Sequence, residues 1–213
     1  MNAVLAGATL LSAVLAIAAA PWALGVPGLL FVFKPLTTVL IMLVAWRRTG
    51  PMRTWVLAGL TASLAGDVAL LWPDRGFVPG LLAFLVAHLC YLVAFTREAR
   101  FVKAAPAAFI FYGVVAAALL AVLWPGVPAP LRVPVLAYVV CLAGMAAQAA
   151  ARARTLRAPL AWRAALGGGL FVASDALLAF DRFNAPLPAA SLLVLATYWA
   201  AQACIASALP PGR

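Results

Sequence analysis

Residues 54–72 read TWVLAGLTASLAGDVALLW, an apolar run in which Asp67 is the single charged side chain. A helix needs about 20 mostly apolar residues to cross the hydrocarbon core of a bilayer, so this run is long enough to span it. Seven further apolar runs of similar length fill most of the chain. We therefore predict eight transmembrane helices, at 4–21, 29–46, 54–72, 77–95, 106–123, 132–151, 162–180 and 188–209.

The composition supports the same class of protein. Apolar residues make up 67% of the chain, charged residues 9%, and the mean hydropathy is +1.10. A soluble domain of this length could not bury so much apolar surface. Eight spans leave room only for short loops, so we predict one all-α membrane domain covering residues 1–213. The net charge of +10 lies in short clusters between apolar runs, which is typical of membrane topology, and we expect no nucleic-acid partner.

The basic clusters also predict the orientation. Eight spans place both termini on one side of the membrane, and the loops of that side carry eleven basic residues against three on the other. The eleven are Arg47, Arg48, Arg53, Arg97, Arg100, Lys103, Arg152, Arg154, Arg157, Arg163 and Arg213; the three are Arg75, Arg132 and Arg182. By the positive-inside rule both termini are cytoplasmic, and we expect a bacterial inner (plasma) membrane protein. No basic residue precedes the first run, so we expect a retained span rather than a cleaved signal peptide.

A short internal repeat relates the two halves of the chain. Gly66-Asp67 is followed by Asp74-Arg75, and Ser174-Asp175 is followed by Asp181-Arg182. Tyr91 and Tyr198 then follow at similar distances from Asp67 and Asp175. Because both units begin on the same side, they predict two parallel four-helix repeats related by an axis along the membrane normal.

Four ionisable side chains fall inside the predicted spans: Lys34, Asp67, Asp175 and His88. Each charge at a helix centre costs about 2.5–3.5 kcal/mol on insertion scales, so such residues pair, line a wet cavity or do chemistry. Lys34, Asp67 and Asp175 all lie about five residues from the outer end of their spans, roughly 7–8 Å deep. Their common depth predicts one polar cavity in the outer half of the bundle.

Helical spacing adds further polar side chains to this predicted cavity. Residues four apart share a helix face, and the candidates for binding or orienting a substrate, besides Lys34 and His88, are Ser63, Tyr91, Tyr138, Tyr198 and Gln202. Structural explanations stay open for several of them. Lys34 and Asp67 could form a structural ion pair, and the His88, Tyr198 and Gln202 side chains could hydrogen-bond between helices.

Neither a metal nor a cofactor is expected. The chain has a single histidine, and its three cysteines, Cys90, Cys141 and Cys204, lie far apart inside apolar runs. A three-histidine zinc site is therefore excluded, and the cysteines suit helix packing.

The order and spacing of these residues resemble the lysoplasmalogenase (YhhN-like) family over about residues 30–206. The resemblance rests on Lys34-Pro35, Ser63-x-x-Gly66-Asp67-x-x-Leu70, Gly80-x-x-x-Phe84-x-x-x-His88-x-x-Tyr91-x-x-x-Phe95, Gly169-x-x-x-x-Ser174-Asp175-x-x-Leu178 and Tyr198-x-x-x-Gln202. It implies an eight-helix membrane enzyme that hydrolyses the vinyl ether bond of lysoplasmalogens. The products are a fatty aldehyde and a glycerophospho-base. The head group, the chain length, the physiological lipid and the oligomeric state are not determined by these motifs.

The residues suit this chemistry independently of the resemblance. Vinyl ether hydrolysis needs one acid to protonate the alkene carbon and one anion to stabilise the oxocarbenium ion, as in glycosidases. Asp175 is assigned as the acid and Asp67 as the stabiliser. A small-molecule or lipid transporter with the same cavity is the main alternative, and a scaffold or receptor is another. A cavity that opens towards one leaflet favours the enzyme, whereas a path to both sides favours transport.

The predicted topology can be tested with reporter fusions placed after Arg53, Arg100 and Arg157. All three fusions should report a cytoplasmic position, because the basic clusters stay on the cytoplasmic side. An alkaline phosphatase signal at any of the three positions would contradict the eight-span arrangement.

Overall fold

The computed structural model describes residues 3–20, 23–99 and 105–212, and this part of the chain is helical without strands. Arg100, Lys103 and Arg213, three of the eleven basic residues counted for the orientation, lie outside the described residues. Eight α-helices follow in order within those ranges: α1 Ala3–Ala18, α2 Pro27–Trp46, α3 Arg53–Ala69, α4 Pro73–Thr96, α5 Pro106–Leu123, α6 Arg132–Leu156, α7 Pro159–Phe183 and α8 Ala190–Ser207. Two short 3-10 turns, Trp124–Gly126 and Ala129–Leu131, join α5 to α6.

Helix number and order match the prediction, but several ends shift by a few residues. α4, α5 and α7 begin at a proline, which suits a first helical turn because its amide has no partner there. Within the described part of the chain, six helices are long and apolar enough to cross a membrane; α1 and α3 are shorter, with 16 and 17 residues. The exposed surface around the helix bundle is apolar, as Val4, Ile110 and Val140 illustrate. This is an integral membrane protein with its polar side chains turned inward.

Contacts between helix ends establish which ends lie together. The Thr49 amide after α2 donates to the Pro210 carbonyl after α8, and the Gln148 amide nitrogen on α6 donates to the Ala99 carbonyl after α4. The ends of α2, α4, α6 and α8 therefore share one end of the bundle, which we call the basic end because the arginine clusters lie there. At the opposite end, Phe77 at the start of α4 packs on Phe183 at the end of α7.

The two halves of the chain repeat one packing pattern. α3 packs most extensively on α4, and α7 packs to the same extent on α8. α2 reaches across to α8 of the other half, and α6 reaches across to α4. This is the arrangement that two parallel four-helix repeats predict.

Glycines allow the closest helix contacts within these pairs. A Cβ on Gly59 of α3 would lie 2.3 Å from Cε1 of Tyr91 on α4, and one on Gly66 would lie 2.6 Å from Cε2 of Phe84. In the second half, a Cβ on Gly167 of α7 would lie 2.9 Å from the Ala201 carbonyl oxygen on α8. Small residues at such positions let membrane helices approach closely.

Replacing Gly59 with Ala should lower the stability of the protein by about 1–3 kcal/mol, because the added methyl group overlaps the Tyr91 ring. Gly113→Ala is the matched control, since a Cβ there meets nothing within 4 Å and alanine favours a helix by about 1 kcal/mol. Thermal unfolding in detergent measures both. Equal melting temperatures for the two variants would show that the α3–α4 contact is not close-packed.

Candidate active site

A polar cavity of about 580 Å³ opens between the helices near the end of the bundle opposite the basic end. Side chains from α2, α3, α4, α7 and α8 line it. Five of the described lining residues are lysine, arginine or aspartate: Lys34, Asp67, Asp175, Asp181 and Arg182. The structure thus brings together the three residues of common depth, and adds two residues from the end of α7.

Asp67 lies on the wall of the cavity and is almost fully buried. Its Oδ2 accepts hydrogen bonds from the Thr38 hydroxyl on α2 at 2.5 Å and from the Tyr198 hydroxyl on α8 at 2.8 Å. The Trp199 indole N–H in turn donates to Thr38 Oγ1 at 3.3 Å. Two hydroxyl donors on one oxygen fix this carboxylate as an acceptor, and charged acceptors make the stronger hydrogen bonds.

Asp175 has a different environment on α7. Its Oδ2 accepts a hydrogen bond from the Tyr138 hydroxyl on α6 at 2.7 Å and lies 3.7 Å from Nε2 of His88 on α4. Its Oδ1 makes no hydrogen bond to any described residue, and the side chain retains 13% exposure. One carboxyl oxygen is therefore held by the protein while the other is left for a ligand.

His88 is fully buried behind Asp175 and does not line the cavity. Its ring packs edge-on against Phe171, with centroids 4.6 Å apart, and against Tyr138 at 5.2 Å. Neither ring nitrogen has a hydrogen-bond partner among the described residues. His88 was expected to orient other residues of the site, and its ring lies directly behind the Asp175 carboxyl group.

A narrow apolar groove continues from the cavity at Asp175. It holds about 80 Å³ and runs between α4, α5, α6 and α7, lined by aliphatic and aromatic side chains such as Leu81, Leu119 and Leu142. The groove exists because α5 packs on α6 but makes no extensive contact with α4. Among the described residues, Asp175 is the one aspartate that lines both the polar cavity and the apolar groove.

Lys34 reaches the polar cavity from α2, next to the proline inside that helix. Asp67 attracts it electrostatically, but no carboxylate oxygen of the described chain lies within 4.0 Å of its ammonium group. The open alternative of a direct Lys34–Asp67 ion pair therefore does not describe this structure.

Tyr91, Gln202 and Ser63 form a second layer behind the cavity. All three are fully buried, and none lines the cavity or the groove. The Tyr91 hydroxyl donates to Gln202 Oε1 at 2.6 Å. Gln202 Nε2 and Ser63 Oγ have no hydrogen-bond partner among the described residues. The positions of the three residues suit a structural layer behind the cavity rather than contact with a substrate.

Sequence reasoning missed Thr38, Trp199 and Arg182 as parts of this site. Thr38 lies four residues after Lys34 on the same helix, so the spacing rule used for the other candidates was enough to find it. Arg182 follows the second aspartate unit of the repeat and was counted only as a loop charge. Trp199 has no such signal, because its role depends on the rotation of α8 against α2.

The Tyr91–Gln202 hydrogen bond should contribute measurably to stability. Tyr91→Phe leaves a buried amide oxygen without its donor, which typically costs about 1–3 kcal/mol. Gln202→Met should cost a similar amount, and the double variant should cost less than the sum, because both changes remove one interaction.

Thermal unfolding of the four proteins measures this coupling. Tyr112→Phe is the matched control, since its hydroxyl makes no hydrogen bond to the residues that the structure describes. Strict additivity of Tyr91→Phe and Gln202→Met would contradict a direct interaction.

Comparison with known proteins places the chain in a family. The model of the YhhN family matches residues 29–209. The lysoplasmalogenase TMEM86A of Bos taurus is 33% identical over 162 residues, 74% of this chain and 66% of the relative. A lysoplasmalogenase of Mycobacterium bovis is 35% identical over 172 residues, 77% of this chain and 63% of the relative.

The lysoplasmalogenase TMEM86B of Sus scrofa is 32% identical over 182 residues, 84% of this chain and 73% of the relative. The match spans just under two thirds of the Bos taurus and Mycobacterium bovis relatives. No solved structure matches the chain. Since the family model covers most of the sequence, including both aspartate helices, the chain belongs to the YhhN family.

Proposed function

We propose that this protein hydrolyses the vinyl ether bond of lysoplasmalogen-type lysophospholipids within the membrane. The observation that carries the proposal is the position of Asp175, where the polar cavity meets the apolar groove. In such a lipid the vinyl ether joins the polar glycerophospho head to a single alkenyl chain. With the head in the cavity and the chain in the groove, the reactive bond lies at Asp175.

The environments of the two aspartates support different roles in the reaction. Asp175 Oδ1, free of hydrogen bonds within the described chain, protonates the alkene carbon, and an oxocarbenium ion forms. Asp67, held by Thr38 and Tyr198, stays anionic and stabilises the positive charge across the cavity.

Water then adds to the cationic carbon and returns its proton to Asp175. The resulting hemiacetal collapses as its hydroxyl proton passes to the glycerol oxygen. The net reaction consumes one water and releases a fatty aldehyde and a glycerophospho-base. Asp175 thus gives a proton when the oxocarbenium ion forms and takes one back when water adds, the logic that glycosidases apply to oxocarbenium ions.

The closed basic end supports an enzyme rather than the alternative transporter. Below the cavity, the Tyr91, Gln202, Met145 and Phe95 side chains are fully buried, so this layer separates the cavity from the basic end in this structure. A transporter exposes its site to each side of the membrane in turn, which would require this buried layer to open.

We also propose that the protein lies in a bacterial plasma membrane with both termini in the cytoplasm, because the basic end carries the arginine clusters. The cavity then faces the outer leaflet. The expected partners are the lysophospholipid and surrounding membrane lipids.

Asp175→Asn and Asp67→Asn should each abolish aldehyde release, since asparagine can neither supply the proton nor balance the cation. Loss of a general acid alone lowers the rate about 10²–10⁴-fold. Asp67→Asn should keep or raise stability because it removes a buried charge, and Asp175→Asn should keep stability because asparagine retains the size of the side chain and an acceptor oxygen. His88→Gln should reduce the rate less, since His88 supports Asp175 from behind the cavity.

The test is aldehyde release from a lysoplasmalogen by purified variants of matched melting temperature. Asp74→Asn is the control, because Asp74 is exposed at the start of α4 and should leave the rate unchanged. A chelator should also leave it unchanged. Near wild-type turnover in either cavity variant would refute the two-carboxylate mechanism, and an inactive wild-type protein with several ether lipids tried would favour the transporter.

A further inference from the structure

The carboxylates of the polar cavity accept hydrogen bonds from the protein, whereas its two cations have no comparable partner. Asp67 accepts hydrogen bonds from Thr38 and Tyr198, and Asp175 accepts one from Tyr138. Asp181, at the end of α7, accepts a hydrogen bond from the Leu187 amide at 2.8 Å, so it serves the loop that follows α7. Every carboxylate that lines the cavity thus has a donor from the protein.

The two cations of the cavity lack an equivalent partner. Lys34 is 8% exposed, and it forms neither a hydrogen bond nor an ion pair within 4.0 Å with the described residues. Arg182 has its guanidinium carbon 5.0 Å from the Phe77 ring centroid, and it forms no ion pair with the described carboxylates. Asp67 attracts the buried Lys34 ammonium group across the cavity but does not contact it, so the ammonium keeps its hydrogen-bond donors for an anion that arrives with a ligand.

The placement of the two cations suits a phosphodiester. Lys34 and Arg182 both line the polar cavity, Arg182 from the last turn of α7, and neither lines the apolar groove that also borders Asp175. Arginine and lysine are the side chains that bind phosphate oxygens most often, the first through its planar fork and the second as a point charge. In a lysophospholipid the phosphate follows the glycerol, on the side of the vinyl ether away from the chain.

We propose that Lys34 and Arg182 form a subsite for the phosphodiester of the lipid head group. This inference rests on the proposed function, because it uses the placement of the vinyl ether at Asp175. It makes the phosphate, rather than the base attached to it, the group by which the protein selects its substrate. Alkenyl glycerophospholipids are then substrates, whereas alkenylglycerols without phosphate bind weakly.

A paired-substrate experiment in mixed micelles tests the subsite. The wild-type protein should have a much lower KM for 1-alkenyl-glycerophosphoethanolamine than for 1-alkenylglycerol of the same chain. Lys34→Met and Arg182→Gln should each raise the KM for the phospholipid roughly 10- to 100-fold, the usual effect of losing a charged hydrogen bond. Neither should change the KM for the alkenylglycerol, and Lys34→Arg should retain most of the binding.

Arg132→Gln is the matched control. Arg132 also lies at the end opposite the basic end and stacks on an aromatic ring, 5.3 Å from the Trp124 centroid, but it lines neither the cavity nor the groove. Its substitution should leave both KM values unchanged. Arg182 is exposed, so the Arg182→Gln result stands even where Lys34→Met impairs folding.

A binding experiment with lipids that cannot be cleaved tests the phosphate subsite separately from vinyl ether hydrolysis. Saturated 1-alkyl-glycerophosphoethanolamine and 1-alkylglycerol have no vinyl group, and tryptophan fluorescence measures their affinity without turnover. Weaker binding of the phospholipid by Lys34→Met and Arg182→Gln supports the subsite even for a protein that cleaves neither vinyl ether. Equal affinity of the wild-type protein for the two saturated lipids overturns it while leaving the hydrolase intact.

Inorganic phosphate distinguishes the lipid from a free anion as the source of the phosphate. Competition by millimolar phosphate against phospholipid binding, together with the KM difference between substrates, supports the subsite. Competition by phosphate without that difference assigns the two cations to a free anion and overturns the proposal. An equal loss of kcat on both substrates in Lys34→Met also overturns the proposal, because Lys34 would then act in catalysis through Asp67 rather than by binding the phosphate.

Discussion

The cost of an ionisable group in hydrocarbon is the constraint on which the arrangement of this bundle depends. Asp67 and Asp175 lie inside helices of the membrane bundle, where a charged side chain is tolerated only with polar partners or water. Each aspartate is met by a helix of its own half and by a helix of the other half. α2 and α8 contact Asp67, while α6 and α4 contact Asp175. The polar groups thereby hold the two repeats together at the level of the cavity.

The repeat supplies a symmetric scaffold, and the side chains make its halves unlike. Asp67 receives two hydroxyl donors and faces a cavity that also holds Lys34. Asp175 receives one donor, stands beside a buried histidine, and borders an apolar groove. Two carboxylates in unlike surroundings are the usual basis for dividing acid and anion roles between residues of one type. The difference arises from packing, since α5 stands away from α4 whereas its counterpart α1 packs on α8.

Much of the fold followed from the sequence because the membrane imposes a simple rule. Apolar runs of fixed length become helices, and depth along each run can be counted, which is why Lys34, Asp67 and Asp175 were expected at one level. Depth does not determine how each helix is rotated or which helices adjoin. Tyr91 was therefore expected at the cavity but lies behind it, bonded to Gln202, and the apolar groove was not foreseen. Three helices also begin earlier than predicted, at Pro27, Pro73 and Pro159, because a proline suits the first turn of a helix.

The closed basic end gives the proposed reaction a direction. Gly59 admits the Tyr91 ring against α3, and the buried side chains below the cavity leave substrate and products the opposite end. The two products differ in kind, since the aldehyde keeps the apolar chain and the glycerophospho-base keeps the charge. The apolar groove runs along α5, which makes no extensive contact with α4, and the polar cavity lies towards the end opposite the basic end. In the proposed reaction, the aldehyde would therefore leave along the groove and the glycerophospho-base through the cavity, so neither product would have to pass the other.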